Sequence, residues 1–406
     1  MSAVFPPLRL LIAFDKFKGA LTAREACELV GSVIRRARPT WQLDVAPLSD
    51  GGDGFCSILT EAAAGVSHEL TASASLFDAA GQAEQLSVPI GIVELQRLPP
   101  SAREQLALPE QTERLAVLEM AAINGLALLP SERRDVWRAS SYGTGELLLG
   151  AAQLGADAIL LGVGGSATSD LGLGALCALG IRFETARGRA LVPPLPASWP
   201  SVRRVRGEAV RDLLPLRIAC DVDNPLLGPR GAAALYGAQK GLSAADLPRF
   251  EAEAARMLAL VCEGLDADRA LASTPGAGAA GGIVFGLLAG TGARRVPGFE
   301  LVAAWLGLDA RLGGCDLVIT GEGRYDASSR SGKGPGAIAL RARRLGRAAV
   351  VFAGSVEPPC ESEPGCELVA ISEPHLPLAR AIAQTRENLV KAVASWLARA
   401  TTLGPR

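Results

Sequence analysis

Residues 159–170 read ILLGVGGSATSD. An apolar run that reads as a buried strand passes into Gly162, Gly164 and Gly165, then into Ser166, Thr168 and Ser169, and ends on Asp170. Glycine has no Cβ, so such a turn lets the backbone pass close to a ligand. Its amides can point at an anion, and the positive end of a following helix adds to the attraction. A carboxylate behind an anion turn calls for a metal ion or a proton transfer. The stretch therefore reads as one half of a phosphate-handling site in an α/β fold. Taken alone, it also fits a tight strand–helix turn in a fold rich in Ala and Gly.

The same rhythm recurs on both sides. Residues 8–14 read as a strand that ends in the turn Asp15-Lys16-Phe17-Lys18-Gly19, and Thr22 with Glu25 forms a capping box that opens a helix. Residues 43–47 form a second strand, which runs into SDGGDG at 49–54 and then a helix to about residue 64. Within SDGGDG, Asp53 is the better placed to cap that helix and Asp50 the better placed for chemistry. Residues 68–93 change to short alternating strands, and 99–114 read as a solvated connection. A strand at 115–120 leads to a Pro/Arg-rich loop and then to SYGTGE at 141–146, a turn before a helix over 147–154. Strand 216–220 runs into DVDNP, and PGAGAAGG at 275–282 is another glycine-rich helix entrance. Near the C-terminus, strand 316–320 runs into the turn GEGRYD, and GKG at 332–334 opens a helix. The pattern predicts two domains: a discontinuous parallel-sheet α/β domain from residues 1–74 and 290–406, and an inserted mixed α/β domain from 75–289.

Composition narrows the function. The chain has 406 residues, is 49% hydrophobic and carries a formal charge of −1 at pH 7. No like-charge block and few aromatic residues argue against a nucleic-acid partner. No apolar run approaches the roughly 18 residues of a membrane span, and the N-terminal residues lack a secretory pattern. The expected location is the cytoplasm, as a monomer or homodimer. The eight cysteines are scattered and read as reduced thiols. Two histidines leave little for a His-based metal site or a Ser-His-Asp triad. Five of the 41 basic residues are Lys, and Lys16, Lys18, Lys240 and Lys333 sit beside glycine-rich turns, where a compact point charge suits a phosphate or carboxylate.

Six turns thus carry polar chemistry: DKFKG, SDGGDG, YGTGE, GGSATSD, CDVDNP and TGEGRYD. A structural turn needs one Gly, Asn or Asp; these carry carboxylates, cations, hydroxyls and several glycines. That mix suits phosphoryl transfer, in which amides and cations offset phosphate charge, carboxylates hold Mg²⁺ and one Asp takes the hydroxyl proton. No GxxxxGK[ST] occurs, so a nucleotide would bind without a P-loop.

The motifs, in order, resemble those of the bacterial-type (type-1) glycerate kinase family. DKFKGA at 15–20 stands where the family has DSFKGS, SDGGDGF at 49–55 where it has ADGGEGT, and SYGTGEL, GVGGSATSD, CDVDNPL, YGAQKG, PGAGAAGG and TGEGRYD follow in sequence. Lys16, Ala20, Asp53 and Phe55 depart from the pattern. The resemblance implies a flavodoxin-like domain with an inserted α/β domain, an active site in the cleft between them, and ATP-dependent phosphorylation of D-glycerate, most often on its 2-hydroxyl, with 3-phosphoglycerate as the alternative product. In that setting Asp50 or Asp170 is the base, and Lys18 and Arg324 hold the glycerate carboxylate or the phosphoryl group. Asp15, Lys16, Gly51, Gly52 and Asp326 join the substrate site. Gly164, Gly165, Ser166, Thr168, Lys240 and Lys333 hold nucleotide phosphates, and Asp223, Asn224 and Glu322 hold Mg²⁺. Domain closure would bring GGSATSD and CDVDNP against DKFKG, SDGGDG and TGEGRYD.

Two rivals compete. GVGGSA fits the dinucleotide fingerprint, with Glu184 about 20 residues on, and would make the chain an NAD-dependent oxidoreductase. A hinged solute-binding protein is the non-enzyme reading, against which the surplus of carboxylates counts.

Overall fold

The computed structural model describes residues 7–78, 80–207, 213–330 and 334–399. The chain forms two compact units, Met1–Ser49 with Val302–Arg406, and Asp50–Leu301. The expected boundaries at 74/75 and 289/290 therefore move. Residues after Ser49 join the second unit because the helix Phe55–Ala62 and the strand that follows it pack on that unit's sheet.

The first unit begins with β1 (Arg9–Phe14) and β2 (Gln42–Val45). The second supplies β3 (Val66–Phe77), β4 (Ala83–Glu94), β5 (Arg114–Glu119), β6 (Ala158–Gly162), β7 (Arg182–Thr185), β8 (Val202–Arg206), β9 (Leu216–Ala219) and β10 (Arg294–Val296). The chain then returns to the first unit with β11 (Leu317–Tyr325), β12 (Ala348–Val356) and β13 (Cys366–Ala370).

In the first unit the strands form one parallel sheet in the order β13-β12-β11-β1-β2. Counted within the unit this is the flavodoxin order 2-1-3-4-5. Leu10–Phe14 of β1 are wholly buried, as a central strand covered on both faces requires, and this is why its sequence is a continuous apolar run. The capping box forms as expected: Thr22 Oγ1 accepts from the Glu25 amide at 3.2 Å, and Glu25 Oε2 accepts from the Thr22 amide at 2.9 Å. That helix, Ala23–Ala37, buries Ala26, Cys27, Val30 and Ile34 at helical spacing. The C-terminal helix Leu378–Arg399 buries Leu389, Val393 and Trp396 in the same core.

In the second unit six strands form a mixed sheet in the order β10-β9-β6-β5-β4-β3, with β5, β6, β9 and β10 parallel and β3-β4-β5 antiparallel. A smaller hairpin of β7 and β8 is covered by the helix Leu247–Leu265, whose Phe250 packs against Trp199. Residues 68–93, expected as short strands, belong to two strands of 12 residues each. The stretch 99–114, expected as a solvated connection, contains the helix Pro100–Leu106 with Ala102 and Leu106 buried.

That helix ends on a buried cation. Arg217 of β9 is 5% exposed and donates Nε to the Leu106 carbonyl and Nη2 to the Ala107 carbonyl. These are acceptors that a helix C-terminus leaves open. Burial, followed by the charge of Arg294, lowers the Arg217 pKa. Arg217→Met is expected to cost about 1–3 kcal/mol by stranding these carbonyls, read as a lower urea midpoint.

No helix among the described residues is long and apolar enough to cross a membrane. All eight cysteines are free.

Candidate active site

In the second unit, the parallel strands set three loops at one level. Glu119 pairs in register with Gly162, and Gly162 with Ala219. Beyond these residues lie the short helix Ala121–Asn124, the turn GGSATSD and the segment CDVDNP, at the carboxyl ends of the strands where α/β sheets bind ligands. SDGGDG packs directly on this edge. The Gly164 amide donates to the Gly51 carbonyl at 2.9 Å. A Cβ on Gly162 would lie 2.6 Å from Gly51 O, and one on Gly164 2.7 Å from Gly52 Cα. These two glycines let two backbone turns touch, which corrects the expectation that they admit a ligand. The Gly164 amide is spent within the protein. Gly165, with φ +72° and an exposed position, faces Asp53 instead.

Asp53 does not cap the helix Phe55–Ala62. Glu119, 8% exposed, takes that role by accepting from the Gly54 and Cys56 amides, each at 3.1 Å. Asp50 is half-buried and accepts from the Gly52 amide at 3.3 Å.

Asp170 has no exposed surface. Oδ2 accepts from the Ser141 amide at 2.7 Å, Ser141 Oγ at 2.9 Å, the Gly174 amide at 3.1 Å and Ser140 Oγ at 3.3 Å, while Oδ1 accepts from the Gly172 amide at 3.2 Å. One carboxylate thus caps two helix starts, those of Tyr142–Gln153 and Leu173–Ala178. Burial pushes its pKa up, against the opposing pull of these donors. The contacts of the Asp170 carboxylate, expected as a candidate base, are those of a group that positions two helix starts. YGTGE likewise proves to be the first turns of a helix. No helix follows the glycines at once, because the one after GGSATSD begins at Leu173. The expected dipole contribution to an anion is therefore missing, and so is the geometry of the dinucleotide fingerprint. Glu184 lies in the β7–β8 hairpin, paired with Arg206 at 3.3 Å.

Lys240 is 3% exposed and donates to Ser166 Oγ at 2.8 Å and to the Thr168 carbonyl at 2.7 Å. Burial lowers its pKa to about 7, while Asp170 pulls the other way. Its expected phosphate contact is corrected, since its ammonium is turned inward. Thr168 Oγ1 and Ser169 Oγ are buried and have no hydrogen-bond partner among the described residues. Asn124, which the sequence reading missed, ties these segments together. Its Oδ1 accepts from the Thr144 amide and hydroxyl, its Nδ2 reaches the Ser140 carbonyl, and its own carbonyl accepts from the Ala167 amide. Its only sequence signal is an Asn-Gly pair after a strand.

In CDVDNP, Asp221 accepts from the Phe299 amide at 2.8 Å, which is a structural task. Asp223 is exposed and pairs with Arg295 at 3.0 Å. Asn224 Oδ1 is buried without a hydrogen-bond partner.

The first unit gathers the remaining candidates at the carboxyl ends of β1 and β11. The Asp15 amide donates to the Gly321 carbonyl, and Lys16 Nζ lies 3.6 Å from Asp15 Oδ1. Lys18 is exposed and makes no ion pair among the described residues. TGEGRY, expected as a turn, is strand through Tyr325, with Glu322 half-buried on it. A Cβ on Gly321 would meet Phe352 O, so this glycine serves strand packing. Arg324 is held between Asp326 at 3.2 Å and Glu357 at 2.6 Å, so its charge is already offset. Lys333 lies outside the described residues.

Comparison with known proteins agrees with the motif order. The pattern of the Glycerate kinase family matches residues 10–401. A glycerate kinase of Halalkalibacterium halodurans is 33% identical over 353 residues, covering 86% of this chain and 85% of the relative. The glycerate 2-kinase of Escherichia coli K12 is 33% identical over 355 residues, covering 86% of each. A crystal structure of a candidate glycerate kinase 2 from Salmonella typhimurium LT2 superposes with a TM-score of 0.71 at 30% identity, covering 97% of this chain and 98% of the other. The fold, the order of the strand-end turns and these likenesses agree, and the chain belongs to the glycerate kinase family.

Proposed function

We propose that this chain transfers the γ-phosphoryl group of ATP to the 2-hydroxyl of D-glycerate, giving 2-phosphoglycerate and ADP, with Asp50 as the base. The observation that carries the reading is the contact between SDGGDG and GGSATSD, where the Gly164 amide meets the Gly51 carbonyl at 2.9 Å. It joins a half-buried carboxylate to a turn with hydroxyls and an exposed glycine, which is what a hydroxyl-to-phosphate transfer requires. The name of the Escherichia coli relative supports the 2-position.

In the proposed step the 2-hydroxyl oxygen attacks the γ-phosphorus, and the bond to the β,γ-bridging oxygen breaks. The hydroxyl proton passes to Asp50, and ADP leaves with the electron pair. Gly51 and Gly52, on the same turn as Asp50, shape the glycerate end. Gly165 and Ser166 receive phosphate oxygens, while Thr168, with no exposed surface, supports the turn from within.

The donor set fits Mg²⁺, a hard ion that takes oxygen ligands and keeps waters and substrate phosphates among them. Asn224 Oδ1 is a buried oxygen without a hydrogen-bond partner, and Asp223 stands beside it in the chain. Among the described residues no three His, Cys, Asp or Glu cluster. Asp223 and Asn224 would hold the ion, and when bound it would offset the β- and γ-phosphate charge. The reading includes a cytoplasmic location, supported by the eight free cysteines.

The test is D-glycerate-dependent ADP release from MgATP, with the product identified by phosphorus NMR. A 2-phosphoglycerate signal is the expected result. A 3-phosphoglycerate signal overturns the regiochemistry, and no turnover overturns the substrate.

A further inference from the structure

We propose that Lys240 is a positioning residue that sets the hydrogen-bond polarity of Ser166, so that the Ser166 hydroxyl is presented as a donor to a phosphoryl oxygen. The proposal rests on the reading that GGSATSD receives phosphate. It replaces the sequence-based expectation of a direct Lys240–phosphate contact.

The geometry is local and closed. An ammonium donates and never accepts, so at 2.8 Å Ser166 Oγ can only accept from Lys240 Nζ. Its proton must then go elsewhere, and no hydrogen bond donated by Ser166 Oγ forms among the described residues. Ser166 is 6% exposed, which leaves a small open face beside exposed Gly165. The second Lys240 bond, to Thr168 O at 2.7 Å, fixes the turn two residues on.

The lysine is itself held in place. It ends the short helix Ala238–Lys240 before Gly241 at φ +93°, where a Cβ would lie 2.3 Å from the Arg134 carbonyl. Arg134 Nη1 donates back to the Gln239 carbonyl at 3.3 Å. The charged groups around Lys240 are Asp170 on the turn, and Arg134 and Asp135 on the loop packed against Gly241. Asp170 is the buried opposite charge, which lets the ammonium persist away from water.

Polarity has a chemical consequence that mere support of the turn lacks. A neutral amine carries a lone pair and would accept the Ser166 proton, turning it inward and away from a phosphate. With the Lys240 pKa near 7, this reversal falls within the range of an ordinary assay.

The experiment measures kcat/KM for MgATP at saturating D-glycerate in the full chain, for wild type, S166A, K240M and S166A/K240M, from pH 6 to pH 9. Loss of one hydrogen bond to a charged oxygen predicts a drop of about ten- to a hundredfold in S166A at pH 6. K240M should fall by a similar factor, and the double variant should be no worse than the poorer single. Wild type should decline above about pH 7 relative to S166A. If S166A matches wild type, the phosphate reading of the turn fails and this proposal with it. If S166A falls but the two losses multiply, or the wild-type profile parallels that of S166A, the phosphate reading stands and the Lys240 role is overturned. The S166A profile decides the matter even if K240M does not fold.

Discussion

Asp170→Ala is expected to cost the second unit about 3–5 kcal/mol, the range for breaking a buried, hydrogen-bonded charge. The side chain is fully buried and accepts from five donors, three of them amides at helix starts. Alanine would leave all five without their acceptor and would leave Lys240 without its buried opposite charge. Against a total stability of about 5–15 kcal/mol for a typical domain, that is enough to bring the unit near unfolding. Asp170→Asn should fall between, because one oxygen remains while the new NH₂ group faces donors. Urea denaturation of the three proteins reads the effect. A normal midpoint in Asp170→Asn together with lost turnover would overturn the positioning role and return Asp170 to the chemistry.

The sequence could not make that distinction. A carboxylate that ends a run of glycines and hydroxyls looks the same whether it faces a ligand or caps a helix, and the deciding partner, Ser141, is 29 residues away. The same limit applies to Gly162 and Gly164, whose reason for being glycine is the backbone of Gly51 and Gly52, far off in sequence. Glycine in TGEGRY suggested a turn, whereas Gly321 is needed because a neighbouring strand's carbonyl occupies the space of a Cβ. What was legible was set by near neighbours. The capping box at Thr22 and Glu25 lies within four residues, and RLLIAF announced a central strand because both of its faces are buried. The β-turn-α order then gave the parallel sheet. The helix after SDGGDG carries no sign in its sequence of which sheet it covers.

Asp50→Asn carries the second large expectation: a fall in kcat of about 10²–10⁴, the usual worth of a general base, with both KM values within a few-fold and the urea midpoint unchanged. The amide has the same shape and keeps an oxygen for the Gly52 N–H at 3.3 Å, so the turn should stand, but it cannot take a proton at neutral pH. The backbone around it is fixed independently. Gly51, at φ +97°, would bring a Cβ to 3.1 Å from the Ala219 carbonyl, and its own carbonyl holds the Gly164 amide. The contrast with Asp170 separates the two roles, because Asp50→Asn should lose turnover with stability intact while Asp170→Ala should lose both. The nearest competitor is Asp53, whose carboxylate oxygens lie 3.8 Å from where a Gly165 Cβ would be. Unaltered turnover in Asp50→Asn with a loss in Asp53→Asn would move the base three residues along the same turn. The surrounding geometry would be unchanged, because both carboxylates stand on the loop that meets GGSATSD.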